Sequence, residues 1–224
     1  MVSPRARWVE TGREMERTYF FSDAVFAIAI TLLALDIKIP KPHSQAIGAE
    51  LPSVVLAQWQ DMLSFFISFL IIGAYWMAHH RMFHYIKSYD ARLLWLNLVF
   101  LMSIAFLPFP DKVLSEWGDR EQFAVVFYAG SMAVAGLLLC SVWWYATKGH
   151  RLVDPNMDPR LVSFFFSRGL TPPLIFLVSI GISFVSLRAA LCSWFLMLVI
   201  RPMLSRLHFP ADPSTPWWRR ILEG

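Results

Sequence analysis

The sequence predicts an all-α membrane protein with six transmembrane helices and both termini in the cytosol. Three observations predict it. Of the 224 residues 57% are hydrophobic, mean hydropathy is +0.50, and only 16% are charged, where a soluble domain carries about a quarter. Apolar runs recur at roughly the 20-residue length that a bilayer crossing requires. The charges gather in the short connections, and unevenly. Of the 20 Lys and Arg residues, all but Lys38, Lys41, Lys112, Arg120 and Arg188 fall at the two ends of the chain or around the connections after spans two and four. Positive charge stays on the cytosolic side, which places both termini there. The sequence pI near 9.3 therefore reads as topology rather than as a nucleic-acid patch.

The elements follow in order. Residues 1–18 form a polar, arginine-containing cytosolic segment, partly helical, too polar and too mixed in charge to be a cleavable signal. Span one covers about residues 19–39. A loop with Pro42 and Pro52 leads to span two, about residues 63–80, within a longer helical pattern over 54–86. Span three, about 93–107, is expected to end at Pro108 and Pro110, followed by an acidic-leaning loop, DKVLSEWGDREQ. Span four covers about 123–145, and a basic loop with two prolines follows. Span five, about 161–184, should kink at Pro172 and Pro173. Span six covers about 189–207, and 208–224 form a short, proline-rich tail. No internal repeat is visible, so residues 1–224 read as a single membrane domain, multi-pass in a bilayer. Spans two and three, and five and six, should form antiparallel hairpins.

Span one carries the most informative pattern: Arg17-x-x-x-Phe21-Ser22-Asp23, then an apolar run interrupted only by Thr31, then Asp36. A carboxylate on the second turn of such a helix is costly without partners. Either Ser22 and Asp23 cap a helix just outside the membrane, or Asp23 is met by groups on other helices with Arg17 and Ser22 helping. Ile28, Leu32 and Leu35 fall at i, i+4 and i+7 on one stripe, while Ala24, Ala27, Ala29 and Ala34 permit close approach of a neighbour. Such a stripe is more often plain packing than a functional surface. Asp36 at the outer end either gathers cations at a pathway mouth or solvates a helix end.

On span two, Trp76 and His79 are i,i+3 neighbours. Because both ends face the cytosol, they lie at the depth of Ser22 and Asp23 and are candidate partners for them. A metal cluster of His79, His80 and His84 lacks further ligands. Asn97 on span three is an isolated amide, of the kind that glues helices together. Cys140 and Cys192 sit in apolar segments, where neither a disulfide framework nor a zinc site is expected. No carbonyl-filter sequence, phosphate loop, nucleophile elbow or HExxH is present, so no catalytic residues and no cofactor are assigned. The scarcity of intramembrane carboxylates counts against a proton-coupled transporter or an intramembrane hydrolase. On residues alone, a channel and a secondary transporter of a small solute stay equally open, with a scaffold or enzyme behind them.

Arg17-x-x-x-Phe21-Ser22-Asp23 with AVFAIAITLLALDI, Trp76-x-x-His79 and LLWLNLVFLMSIAFLPFP resembles the endosomal and lysosomal potassium channel family, in its bacterial, single-repeat branch. The similarity covers most of the six spans. It implies a homotetramer in the bacterial plasma membrane that passes potassium, with the first helix of each subunit lining a shared pore and no carbonyl filter. It further implies a hydrophobic constriction at Ile28, Leu32 and Leu35, a contribution of Thr31 to cation choice, and Asp36 at the outer mouth. Arg17, Phe21, Ser22 and Asp23, with Trp76, His79 and Asn97, would be the polar network fixing the pore helix. Asp23 would then be structural more than ion-binding.

Overall fold

The computed structural model describes residues 12–37, 51–118, 120–197, 200 and 203. These residues are helical apart from their connections. Helix α1 runs Gly12–Leu32 and tightens into a 3-10 turn, Leu33–Asp36. Then come α2 (Leu51–Ala57), α3 (Trp59–Tyr85), α4 (Ala91–Phe106), α5 (Pro108–Trp117), α6 (Gln122–Thr147), α7 (Pro159–Ser183) and α8 (Leu187–Ser193). Four stretches among the described residues are long and apolar enough to cross a membrane: Glu16–Leu35, Ala91–Trp117, Gln122–His150 and Pro159–Ser183. With 27 residues, α3 is about 40 Å long, also enough for a bilayer core of about 30 Å. Of the sixth expected span, residues 189–197, 200 and 203 are described, and its start forms the short α8; the N-terminal eleven residues and the C-terminal tail lie outside the described residues.

Helix α6 is the centre of the bundle. It is apolar on all sides, as a helix surrounded by others must be, and packs against α4, α5, α7 and α8. Its face Ala129, Ala133, Gly136 and Cys140 is buried, and small residues there let α7 come close. A Cβ built on Gly136 would lie 2.8 Å from Cδ of Pro173, so glycine at 136 is a requirement of that contact. Helix α7 continues from Pro159 to Ser183 through Pro172 and Pro173. The proline pair is a packing surface within one helix rather than a break between two.

The connections correct the sequence reading in two places. The helix of the third span stops at the expected place, α4 ending at Phe106, but a new helix follows it at once instead of a loop. Leu107 keeps helical angles (φ −55°, ψ −34°) and Pro108 stands at the first position of α5, where a missing N–H is no loss. Most of the expected acidic loop is therefore helix. Ser22 and Asp23 are not an N-cap either: α1 begins at Gly12, three turns earlier, so both lie inside it.

At the end of the bundle where α1 enters, the other connections interlock. Asp90 caps α4, its Oδ1 accepting from the Leu93 N–H at 2.8 Å, while its Oδ2 accepts from the Tyr145 hydroxyl at 2.6 Å. Gly149 (φ +64°) and His150 (φ +49°) turn the chain after α6. That turn brings the Leu152 carbonyl to the Lys87 N–H at 2.8 Å, tying the α6–α7 connection to the α3–α4 one.

Candidate functional site: a polar seam behind an outward apolar stripe

Helix α1 is the least buried of the four spans; it packs chiefly on α3 and α4. Its inward face is Ser22, Phe26, Ala29 and Leu33, each at most 2% exposed. Its outward face holds Ile28, Leu32 and Leu35, at 59%, 43% and 76%. Arg17, Phe21, Ala24, Ala27 and Thr31 are exposed with them. The stripe is thus a surface of the single chain, not part of its core. The Thr31 hydroxyl donates to the Ile28 carbonyl at 3.0 Å, so the outward face carries a satisfied hydroxyl between apolar side chains.

Behind the stripe runs a chain of hydrogen bonds linking α1, α3 and α4. Ser22 Oγ donates to the Thr18 carbonyl at 2.9 Å and accepts from Asn97 Nδ2 at 3.1 Å. Asn97 Oδ1 meets His79 Nε2 at 2.9 Å. These contacts fix the protonation pattern. Ser22 spends its proton on Thr18, so Asn97 must turn its NH2 toward Ser22 and its carbonyl oxygen toward His79. A carbonyl oxygen only accepts, so the His79 proton sits on Nε2. Ser22, His79 and Asn97 are all buried, and pairing each with another removes the cost of placing them at membrane depth.

Aromatic rings hold His79 in place. Phe83, one turn along α3, stacks on it at 4.1 Å, Phe100 of α4 lies at 5.5 Å, and Phe26 of α1 at 5.7 Å. Nearer the surface, Trp76 Nε1 donates to the half-buried Asp23 at 2.8 Å, and the Tyr19 hydroxyl donates to the Phe83 carbonyl. Every one of these contacts grips α1 from the side opposite Ile28, Leu32 and Leu35.

Of the residues singled out in the sequence, the structure brings together Ser22, Asp23, Trp76, His79 and Asn97. Arg17 and Phe21 stay outside the seam. Arg17 lies on the exposed face, and no partner for it exists among the described residues, because six residues carry it round the helix away from Asp23. The Asp36 side chain lies outside the described residues. His80 faces the Trp76 ring at 5.4 Å and His84 lies against Tyr85, so neither joins His79. Tyr19, Phe83 and Phe100 were missed. The i,i+4 spacing of His79 and Phe83 offered a signal; the approach of Asn97 to Ser22, 75 residues apart, left none in one sequence.

Near the opposite end, the buried Ser68 of α3 donates to Asp111 of α5 at 2.5 Å. The Tyr75 hydroxyl donates to the Met132 carbonyl at 2.8 Å. These contacts fasten α3 to the rest of the bundle at a second level.

Bilayer-length helices, a polar seam fixing the first of them, and an apolar stripe turned outward define an all-helical membrane protein. A potassium channel of Streptomyces collinus is 37% identical over 176 residues, 77% of this chain and 84% of that one. A potassium channel of Chamaesiphon minutus is 34% identical over 179 residues, 79% and 86% of the two chains. The model of the family described as "Endosomal/lysosomal potassium channel TMEM175" matches residues 17–108, and the chain belongs to that family. The crystal structure of a lysosomal potassium-selective channel TMEM175 homolog from Chamaesiphon minutus superposes with TM-score 0.70 at 30% identity, covering 86% of this chain and 98% of that one. The family is one of channels, not enzymes. The matched segment contains every residue of the seam.

Proposed function

We propose that the protein is a potassium-permeable cation channel of a bacterial plasma membrane, assembled as a homotetramer with both termini in the cytosol. Helix α1 of each copy lines a central pore, and Ile28, Leu32 and Leu35 form its constriction. Thr31 adds a hydroxyl beside the constriction and Asp36 stands at the outer mouth. The observation that carries this reading is the opposition of the two faces of α1: the seam through Ser22, Asp23 and Asn97 grips one, leaving the apolar stripe free on the other. The kinship with bacterial potassium channels supports the choice of ion.

The mechanism follows from the stripe. A ring of Ile and Leu side chains around a narrow axis expels water and closes the path by dewetting. Rotation or bending of α1 widens the ring, water returns, and cations pass with part of their hydration. Potassium is favoured over sodium because the larger ion loses water at lower cost, which gives a small preference without a carbonyl filter. Asp23 is engaged by Trp76, so its role is to hold α1, not to bind the ion. Pore width is a property of the assembly, and an isolated copy has no conducting path.

The competing reading is a secondary transporter, which calls for helices broken at the midplane. Pro172 and Pro173 are where a break in α7 would fall, and α7 runs through them as one helix. Planar-bilayer recording of the purified protein under a potassium/sodium gradient separates the two. Unitary current steps reversing on the potassium side are expected; saturable uptake without steps would reject the channel.

A further inference from the structure

A cleft of about 330 Å³ lies between the end of α6 and the start of α7, lined by Trp144, Thr147, His150, Pro159, Val162, Ser163 and Phe166. Its depth is set by its walls. Thr147 is the last residue of α6 and Pro159 the first of α7, so its mouth is at headgroup level, and Trp144, Ser163 and Phe166 reach about one to two turns further in. Trp144, half exposed there, is placed as interfacial indoles are. Trp144, Val162 and Phe166 make an apolar wall, while Thr147, Ser163 and His150 supply polar groups along it.

The charges around the mouth favour an anion. The Lys148 ammonium sits 4.5 Å from the centre of the ring of Trp144, one of the cleft's walls, held there by the indole face. Arg160 adjoins Pro159, and its guanidinium has no partner among the described residues. Two carboxylates lie nearby, Asp158 accepting from the Arg160 N–H and Asp154 from the Asn156 N–H, each at 2.8 Å, and the three cations Lys148, Arg151 and Arg160 outnumber them. An apolar wall that continues into the bilayer, topped by cations at phosphate depth, matches a lipid that is itself apolar below and anionic above.

We propose that this cleft seats the head and upper chain of an anionic phospholipid from the leaflet on the arginine-rich side of the membrane. Lys148 and Arg160 meet the phosphate, the Ser163 and Thr147 hydroxyls meet the glycerol region, and Trp144, Val162 and Phe166 pack on the first methylenes. The site is built from α6, α7 and their connection, none of which carries the outward stripe of α1.

Native mass spectrometry of the purified full chain, released from nanodiscs of equal phosphatidylglycerol and phosphatidylcholine, reads this binding without any ion flux. Failure here is therefore distinct from failure of the channel reading. Phosphatidylglycerol should be retained in preference. Lys148→Gln should lower its retention about fivefold, the factor one interfacial cation contributes. Ser163→Trp fills the cleft from an exposed position and should abolish the retained lipid at an unchanged melting temperature. Equal retention of the two lipids, or phosphatidylglycerol that survives Ser163→Trp, overturns the proposal.

Discussion

The indole N–H of Trp76 donates to the Asp23 carboxylate across 2.8 Å, joining α3 to α1 over a separation of 53 residues. Neither partner is fully buried, so the bond is an edge clamp on a helix whose other face is open. Trp76→Phe keeps the ring and deletes the donor. It should destabilise the protein by about 1 kcal/mol, within the range of interhelical hydrogen bonds in membranes. A detergent melting curve measures this. Asp23→Ala should reduce the assembled fraction on size exclusion more than it alters ion preference. In the double variant the losses should be less than additive, because both changes remove one interaction.

Asn97 offers a sharper case, since it satisfies two buried groups at once. Asn97→Leu leaves the Nε2–H of His79 facing an apolar side chain and deprives Ser22 Oγ of its donor. Each orphaned group costs about 1–3 kcal/mol. The melting temperature should fall further than for Trp76→Phe, and the tetramer fraction with it. An unchanged melting temperature would mean that the seam is not what holds α1.

How much of this was legible in the sequence depends on the range of the interaction. Spans one, three, four and five were legible because hydropathy over some 20 residues is a local property, and the stripe of Ile28, Leu32 and Leu35 because helical period is too. Depth matching also suggested Trp76 and His79 as neighbours of Asp23 and Ser22. The resemblance groups Arg17 with the seam through the Arg-x-x-x-Phe-Ser-Asp motif, but in the single chain the helix turns it outward. Pro108 marks the end of α4 as expected, but a proline at a first helical position also starts a helix, which the loop expectation overlooks. The sandwich of His79 between Phe83 and Phe100 needs α3 and α4 docked in register, and no single segment encodes that.

Close packing of α6 on α7 yields a paired test. Gly136→Ala drives a methyl against Pro173, whose ring cannot swing aside, and should destabilise by about 1–3 kcal/mol as overpacking does. Gly130 lies on the same helix with nothing within 4 Å of its missing Cβ. Gly130→Ala should be neutral or stabilising by up to about 1 kcal/mol. Thermal melts of the two variants side by side separate the steric term from helix propensity.

Asp90 joins a helix cap to the Tyr145 hydroxyl, so its loss acts twice. Asp90→Ala should cost about 1 kcal/mol for the cap, and somewhat more for the unpaired Tyr145. Tyr145→Phe should recover only the second part. Hydrogen exchange at Leu93 reports the cap directly and should rise in the first variant but not in the second.

The central claim, that the outward face of α1 walls a shared water-free path, is tested most directly by potassium flux from liposomes holding Ile28→Asn or Leu32→Asn. Wetting the constriction should raise basal flux at least tenfold, roughly the effect of removing 1.4 kcal/mol from a barrier, while Val178→Asn, an equally exposed apolar position on α7, should leave flux unchanged. Flux unaltered by both α1 substitutions, or raised as much by Val178→Asn, would contradict the account.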